Sequence, residues 1–192
     1  MSNAIAIANY FIKAALDQGL AAKDFPPAKV HGLLYLAHGW LLGQAGAAIV
    51  KSQFMADRDG VFVPELREAG CAGTKNVAAL VSVTALDEKR GLMTEQTPQL
   101  APGNPLVSAL DWIWKTYGPL ASFGIAEHVR EPGGPWDKVW NDPRRKDELP
   151  RPIPNPMIKD WYKGLSGRRA EQGRTGKLTR TQKFEMKPGV KK

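Results

Sequence analysis

The sequence predicts a mainly α protein, a compact multi-helix domain with at most a small β-hairpin or short sheet. Three observations lead there. Apolar residues recur at i, i+3, i+4 spacing in several segments, the period of one helix face. Capping residues stand beside prolines at Asp24-Phe25-Pro26-Pro27, Asn104-Pro105 and Asn155-Pro156, and a first helical turn tolerates proline because its N–H has no intrahelical partner. One segment alone, around Asp59-Gly60, sets a turn dipeptide between β-branched and aromatic residues.

Ala4 to Gln18 reads as the first helix. Ile5, Ala8, Ile12, Ala15 and Leu16 share a face that Phe11 widens, and Gly19 is its stop. The second helix is expected from about Pro27 to Gly43. Val30, Leu33, Leu34, Ala37 and Leu41 make its main stripe, while Tyr35, Trp40 and Leu42 cover much of the rest. A helix apolar nearly all round is buried on most sides. The longer run Val30 to Val50 holds no Lys, Arg, Asp or Glu, and its length would cross a bilayer. Gly43 to Val50 is a weak helix former, however, and His31, His38 and Gln44 would be costly in lipid. The run therefore divides into a buried helix, a glycine turn and an extended piece from near Ala47.

Ile49 to Pro64 is expected to hold a short extended segment or hairpin. Pro64 to Glu68 starts a short helix stopped by Gly70. Thr74 to Leu86 is ambiguous, Ala-rich at one end and Val-rich at the other, and Asp87 to Gly103 reads as a loop. Leu106, Leu110, Ile113, Trp114 and Tyr117 form the stripe of the next helix, ended by Gly118-Pro119. A shorter helix follows from Ser122 through Val129. Trp136 and Trp140 lie one helical turn apart. Asn141 to Pro154 is expected as a loop, and Met157 to Lys163 as the last helix, with Gly164 as its stop.

The chain has 192 residues and a net charge of +8. Nine Lys/Arg against two Glu from Gly164 to Lys192 place +7 of that in a C-terminal tail. With few large apolar residues, the tail is expected to be disordered or to lie over the surface. It is either a solubilising segment or, through Arg168, Arg169, Arg174, Lys177 and Arg180, a contact for acidic partners or nucleic acid. The single cysteine, Cys71, excludes an intramolecular disulfide and fits a reducing compartment. The N-terminus has no basic leader region, so a cytoplasmic protein is expected.

No nucleophile–base pair, P-loop, dinucleotide fingerprint, zincin motif or paired CxxC is present. His31 and His38 are seven residues apart, about 10.5 Å along a helix, and read as hydrogen-bonded helix-face histidines rather than metal ligands. A hydrolase built on either histidine is the weakest reading. No catalytic residue, metal or cofactor is therefore expected. The surplus is aromatic: Trp112, Trp114, Tyr117, Trp136, Trp140, Trp161 and Tyr162 sit near helix ends. Such residues pack cores and also anchor protein–protein contacts.

Six segments occur in a recognisable order: ANYFIKAAL (Ala8 to Leu16), KVHGLLYLAHGWLL (Lys29 to Leu42), GVFVPEL (Gly60 to Leu66), LDWIWKTYGPLASFGIAEHV (Leu110 to Val129), GGPWDKVW (Gly133 to Trp140) and IPNPMIKDWY (Ile153 to Tyr162). Their combination resembles the Panacea domain, the phage-associated, SocA-like antitoxin family, over roughly Ala4 to Lys163. The resemblance implies a helical domain over residues 1–163, with 164–192 as a basic tail outside it. It also implies a non-catalytic protein that neutralises a cognate toxin by direct binding, with delivery of the toxin to protease machinery as one mode. Tyr35, His38, Trp40, Trp112, Trp136 and Trp161 are the expected partner-binding residues. The chain departs from the family where Phe54 to Val61 replaces a W-x-Y-G-P run and where Val129-Arg130 replaces a Thr-His pair. A phage- or mobile-element-associated regulatory protein that contacts nucleic acid through the tail is the alternative.

Overall fold

The computed structural model describes residues 3–20, 25–73, 75–87, 91–145 and 149–175, the last eight by backbone alone. Seven helices and two small antiparallel sheets occur among them. With 51% helix and 13% strand among the described residues, the fold is mixed α/β, not mainly α as the sequence suggested.

Helix α1 spans Ala4–Asp17. Asn3 caps it by accepting the Ile5 N–H at 2.7 Å. Gly19, at φ +68°, closes it, with N–H groups of Gly19 and Leu20 donating back to Leu16 and Ala15 carbonyls. Helix α2, Pro27–Ala45, begins with proline in its first turn and ends at Gly46 in the left-handed region. It is the axis of the molecule, touching α1, the strand Gly60–Phe62, and the later helices Val107–Tyr117, Ser122–Val129 and Asn155–Thr175. Burial of its Val30, Leu33, Leu34 and Leu36 side chains contributes roughly 1.5–3 kcal/mol each.

Strands β1 (Phe54–Asp57) and β2 (Gly60–Phe62) form the expected hairpin, with Arg58-Asp59 at its turn. Helix α3 is Pro64–Glu68. Beyond it strand forms at the Val-rich end of the ambiguous segment, and two stretches expected as loops also hold strands. The ambiguous and loop-like segments supply β3 (Val83–Asp87) and β4 (Leu92–Gln96), paired as a two-stranded arm. The proline-rich stretch expected as a loop contains a 3₁₀ turn, Pro143–Arg145, and β5 (Arg151–Ile153). Strand β5 pairs with β1, giving the order β2-β1-β5. In both places the strand signal is weak. The arm has no fully buried face to impose an alternating pattern, and Pro152 sits on an edge strand, where a missing N–H costs little.

The remaining helices are α4 (Val107–Tyr117), α5 (Ser122–Val129), α6 (Pro135–Trp140) and α7 (Asn155–Thr175). Asn104 turns the chain into α4 by accepting the Leu106 N–H at 3.0 Å. Helix α7 does not stop at Gly164. It continues to Thr175, and Leu165 packs against the core. The rest of the basic tail, 176–192, lies outside the described residues. Among the described residues, no helix is long and apolar enough to cross a membrane.

Two packing devices position everything else. Glycines on α2 let neighbours approach. A Cβ on Gly39 would overlap the Tyr162 ring of α7, one on Gly32 would overlap Ile125 of α5, and one on Gly43 would meet Tyr162 Cβ at 2.7 Å. The buried Asn9 of α1 fastens the arm. Its Nδ2 donates to the carbonyls of Val81 and Pro98, and its Oδ1 accepts the Val81 N–H, all at 2.8 Å.

Candidate functional site

Four of the six residues expected to meet a partner are covered by the chain itself. Tyr35, His38, Trp40 and Trp136 lie in the core. Tyr35 and His38 pack on Phe54 of β1, at ring separations of 5.3 and 5.0 Å. His38 Nε2–H donates to Asn155 Oδ1 at 3.1 Å, tying α2 to the first residue of α7. The Tyr35 hydroxyl and His38 Nδ1 find no partner among the described residues, and burial pushes the tyrosine pKa up and the histidine pKa down. Trp136 Nε1–H donates to the carbonyls of Asp57 (3.1 Å) and Gly60 (2.8 Å), which locks the β1–β2 turn. These side chains hold the scaffold.

His31 does similar work at the other end of α2. Its Nε2–H donates to the Cys71 carbonyl at 3.0 Å, and its Nδ1 accepts the Val63 N–H at 3.3 Å. Desolvation lowers its pKa to about 4, against the weaker opposing effect of the Cys71 hydrogen bond. The unfolded chain therefore takes up a proton first as pH falls. The stabilisation is fully present above the ordinary histidine value near 6.5 and is lost on the way down to about 4. About 3 kcal/mol is at stake. Thermal melts from pH 7 to pH 4 are expected to show a falling midpoint in the wild type and a shallower fall in His31→Gln. A wild-type midpoint that stays level would contradict this role. Cys71 is buried, with its thiol pushed up to about 12, so it is a poor nucleophile. Among the described residues, no group of three or more His, Cys, Asp or Glu side chains is placed to hold a metal.

Trp112 is the exposed member of the set, 41% accessible on α4. Two rings brace it: Trp40 edge-on at 5.5 Å and Tyr117 edge-on at 6.3 Å. The brace is itself tied, because Trp40 Nε1–H donates to the Tyr117 hydroxyl at 3.0 Å. Tyr117 in turn meets His128 of α5 at 5.1 Å. Beside this ladder, Asp111 of α4 accepts the Tyr10 hydroxyl of α1. Trp161 is half-buried and lines a separate groove with Pro135, Pro154, Pro156 and Met157. Arg168, Arg169 and Arg174 fall on the last turns of α7, with side chains outside the description; Lys177 and Arg180 lie outside the described residues.

A second concavity was not anticipated from the sequence. It lies where the first turn of α2, strand β2, the end of α3 and α5 converge. Arg67 is fixed at its rim, its guanidinium 3.2 Å over the Phe62 ring and paired with Asp57 at 2.5 Å. The only signal in the sequence was the G-x-x-V-P-E-L segment, whose first residues form the pocket wall. Comparison of the chain with protein-family models, curated proteins and solved structures finds no match in any of the three.

Proposed function

We propose that this chain is a non-catalytic binding protein of the Panacea, SocA-like antitoxin kind, which neutralises a cognate toxin by direct contact. The observation that carries the reading is the braced indole of Trp112. An exposed tryptophan whose flanks are already fixed loses little conformational freedom on binding, and such residues dominate interface energies. The ordered set of six motifs supports the family assignment, and the adaptor role toward protease machinery belongs to the same proposal.

The test is co-expression with the product of the adjacent open reading frame. Rescue of growth by the wild type and its loss with Trp112→Ala are expected. The variant should bind about 10- to 100-fold more weakly while melting near the wild-type temperature, since the indole is already partly in water. A harmless neighbour, or full rescue by the variant, would remove the reading. The nucleic-acid alternative rests on the +7 of charge from Gly164 to the end of the chain. Deleting residues 176–192 separates the two: neutralisation survives under the first reading, whereas salt-dependent DNA or RNA binding is lost under the second.

A further inference from the structure

We propose that the β3–β4 arm is a self-association site, where strand β4 pairs antiparallel with β4 of a second copy of this chain about a two-fold axis at Met93. The arm is a bare ribbon. Among the described residues no other helix or strand packs along β3 or β4, so each has one long side without a ladder neighbour. Strand β4 is the more open, with four of its five residues exposed against two of β3. Of the seven exposed large hydrophobics among the described residues, three stand on these two short strands: Leu86, Leu92 and Met93. Such clustering marks an interaction site. Natural sheets blunt an exposed edge with proline, lysine or a bulge. This ladder pairs residue for residue without a bulge, and β4 holds neither proline nor lysine.

The occupant follows from the register. Leu86 and Met93 oppose each other across the ladder, 55% and 63% exposed. Alternate residues of a strand share a face, so Thr84 and Glu95 flank them on the same side. A two-fold axis at Met93 sets Met93 against Met93 of the second copy, and Leu92 against its Thr94. Leu86, Met93 and their two counterparts then make one apolar row across a four-stranded sheet, β3-β4-β4-β3. A two-stranded ribbon is marginal alone and gains the further strands it needs. The same register separates charge. Glu95 is the one charged residue of β4. It falls opposite Gly91 of the second copy, roughly 13 Å along the ladder from its own counterpart. An axis at Thr94 would instead oppose Met93 with Glu95. The edge is thus complementary to itself, in apolar surface and in charge. The contact is smaller than a stable dimer needs, so association is weak and half-formed at roughly 0.1–1 mM. The arm is distinct from Trp112, and the inference does not depend on the toxin reading.

Sedimentation velocity and ¹⁵N spectra of the full chain, from micromolar to millimolar concentration, decide it. The mean mass is expected to rise from 21.0 kDa towards twice that value, and the amide signals of Leu92, Met93 and Thr94 to move with concentration. Met93→Lys, at an exposed position, sets like charges against each other on the axis and should abolish the association. The double variant Leu92→Lys/Thr94→Glu places a lysine–glutamate pair on each side of the axis and should tighten it several-fold at low salt. With the axis at Thr94, the two new glutamates would face each other and weaken it. The double variant also decides the matter should Met93→Lys fail to fold. A mass constant up to millimolar concentration would overturn the proposal, even if β4 took up a strand of another protein. So would association that survives in folded Met93→Lys, concentration-dependent signals confined to other elements, or weakening in the double variant.

Discussion

Gly39→Leu is expected to leave no cooperatively folded domain, and Gly39→Ala to lower stability by roughly 2–3 kcal/mol. The reason is the crossing of α2 and α7. Tyr162 is buried with its ring lying where a Cβ of residue 39 would be. It has nowhere to retreat, because Tyr35 and Trp40 pack edge-on against it at 6.1 and 5.5 Å. An isolated helix would gain up to about 1 kcal/mol from replacing glycine by alanine, so a net loss would mark the close approach as the dominant effect. Denaturant unfolding of Gly39→Ala, Tyr162→Leu and the double variant gives the check. The double variant should recover part of the Gly39→Ala loss, since neighbours that share a space do not add. A Gly39→Leu protein that melts like the wild type would refute this packing.

The second large effect is expected at Asn9. Asn9→Leu removes three hydrogen bonds at 2.8 Å and leaves the Val81 N–H and C=O and the Pro98 C=O without their partner. Orphaned buried groups cost about 1–3 kcal/mol each, so a loss of roughly 3–5 kcal/mol is expected, with the part-buried Pro98 carbonyl contributing least. The loss should be local first. An isolated two-stranded hairpin is marginally stable, and these bonds hold both feet of the arm. Hydrogen exchange should show residues of Val83–Asp87 and Leu92–Gln96 losing protection before α2 does. Asn9→Asp should not rescue it, because a carboxylate would face two carbonyls. Unchanged arm protection in Asn9→Leu would refute the clamp.

What the sequence disclosed and what it withheld divide along physical lines. The two long N-terminal helices were legible because their apolar stripes are deep; Gly19 was a legible stop and sits in the left-handed region, whereas the second helix, expected to end at about Gly43, runs on to Ala45 and stops at Gly46. The β1–β2 hairpin was legible from its turn region, although the loop residues are Arg58-Asp59 and the expected Asp59-Gly60 pair lies one residue later. The arm was not, because Leu86, Leu92 and Met93 are exposed and nothing enforces inside–outside alternation. Gly164 misled because glycine is a statistical stop only; helix α7 passes it and gains the packing of Leu165. The site residues carried their own warning. Tyr35, His38 and Trp40 stand on a helix already read as buried on most sides, so their coverage followed from that reading, and Trp136 was missed because its indole donates inward to the hairpin turn. Trp112 alone of the six combines a large ring with real exposure. The pocket at β2 left only the G-x-x-V-P-E-L segment as a signal, since its other walls come from α2 and α5, far from that segment in sequence.

The proposed antitoxin role requires this molecule to act by touching another protein through a preformed aromatic face. Calorimetric titration of the purified adjacent-gene product into the full chain tests it most directly. The expected result is a one-to-one complex with affinity of about 1 μM or tighter and a negative heat-capacity change, little altered by high salt and weakened in Trp112→Ala. No measurable heat with the wild type, or binding that vanishes with salt and ignores the tryptophan, would contradict it.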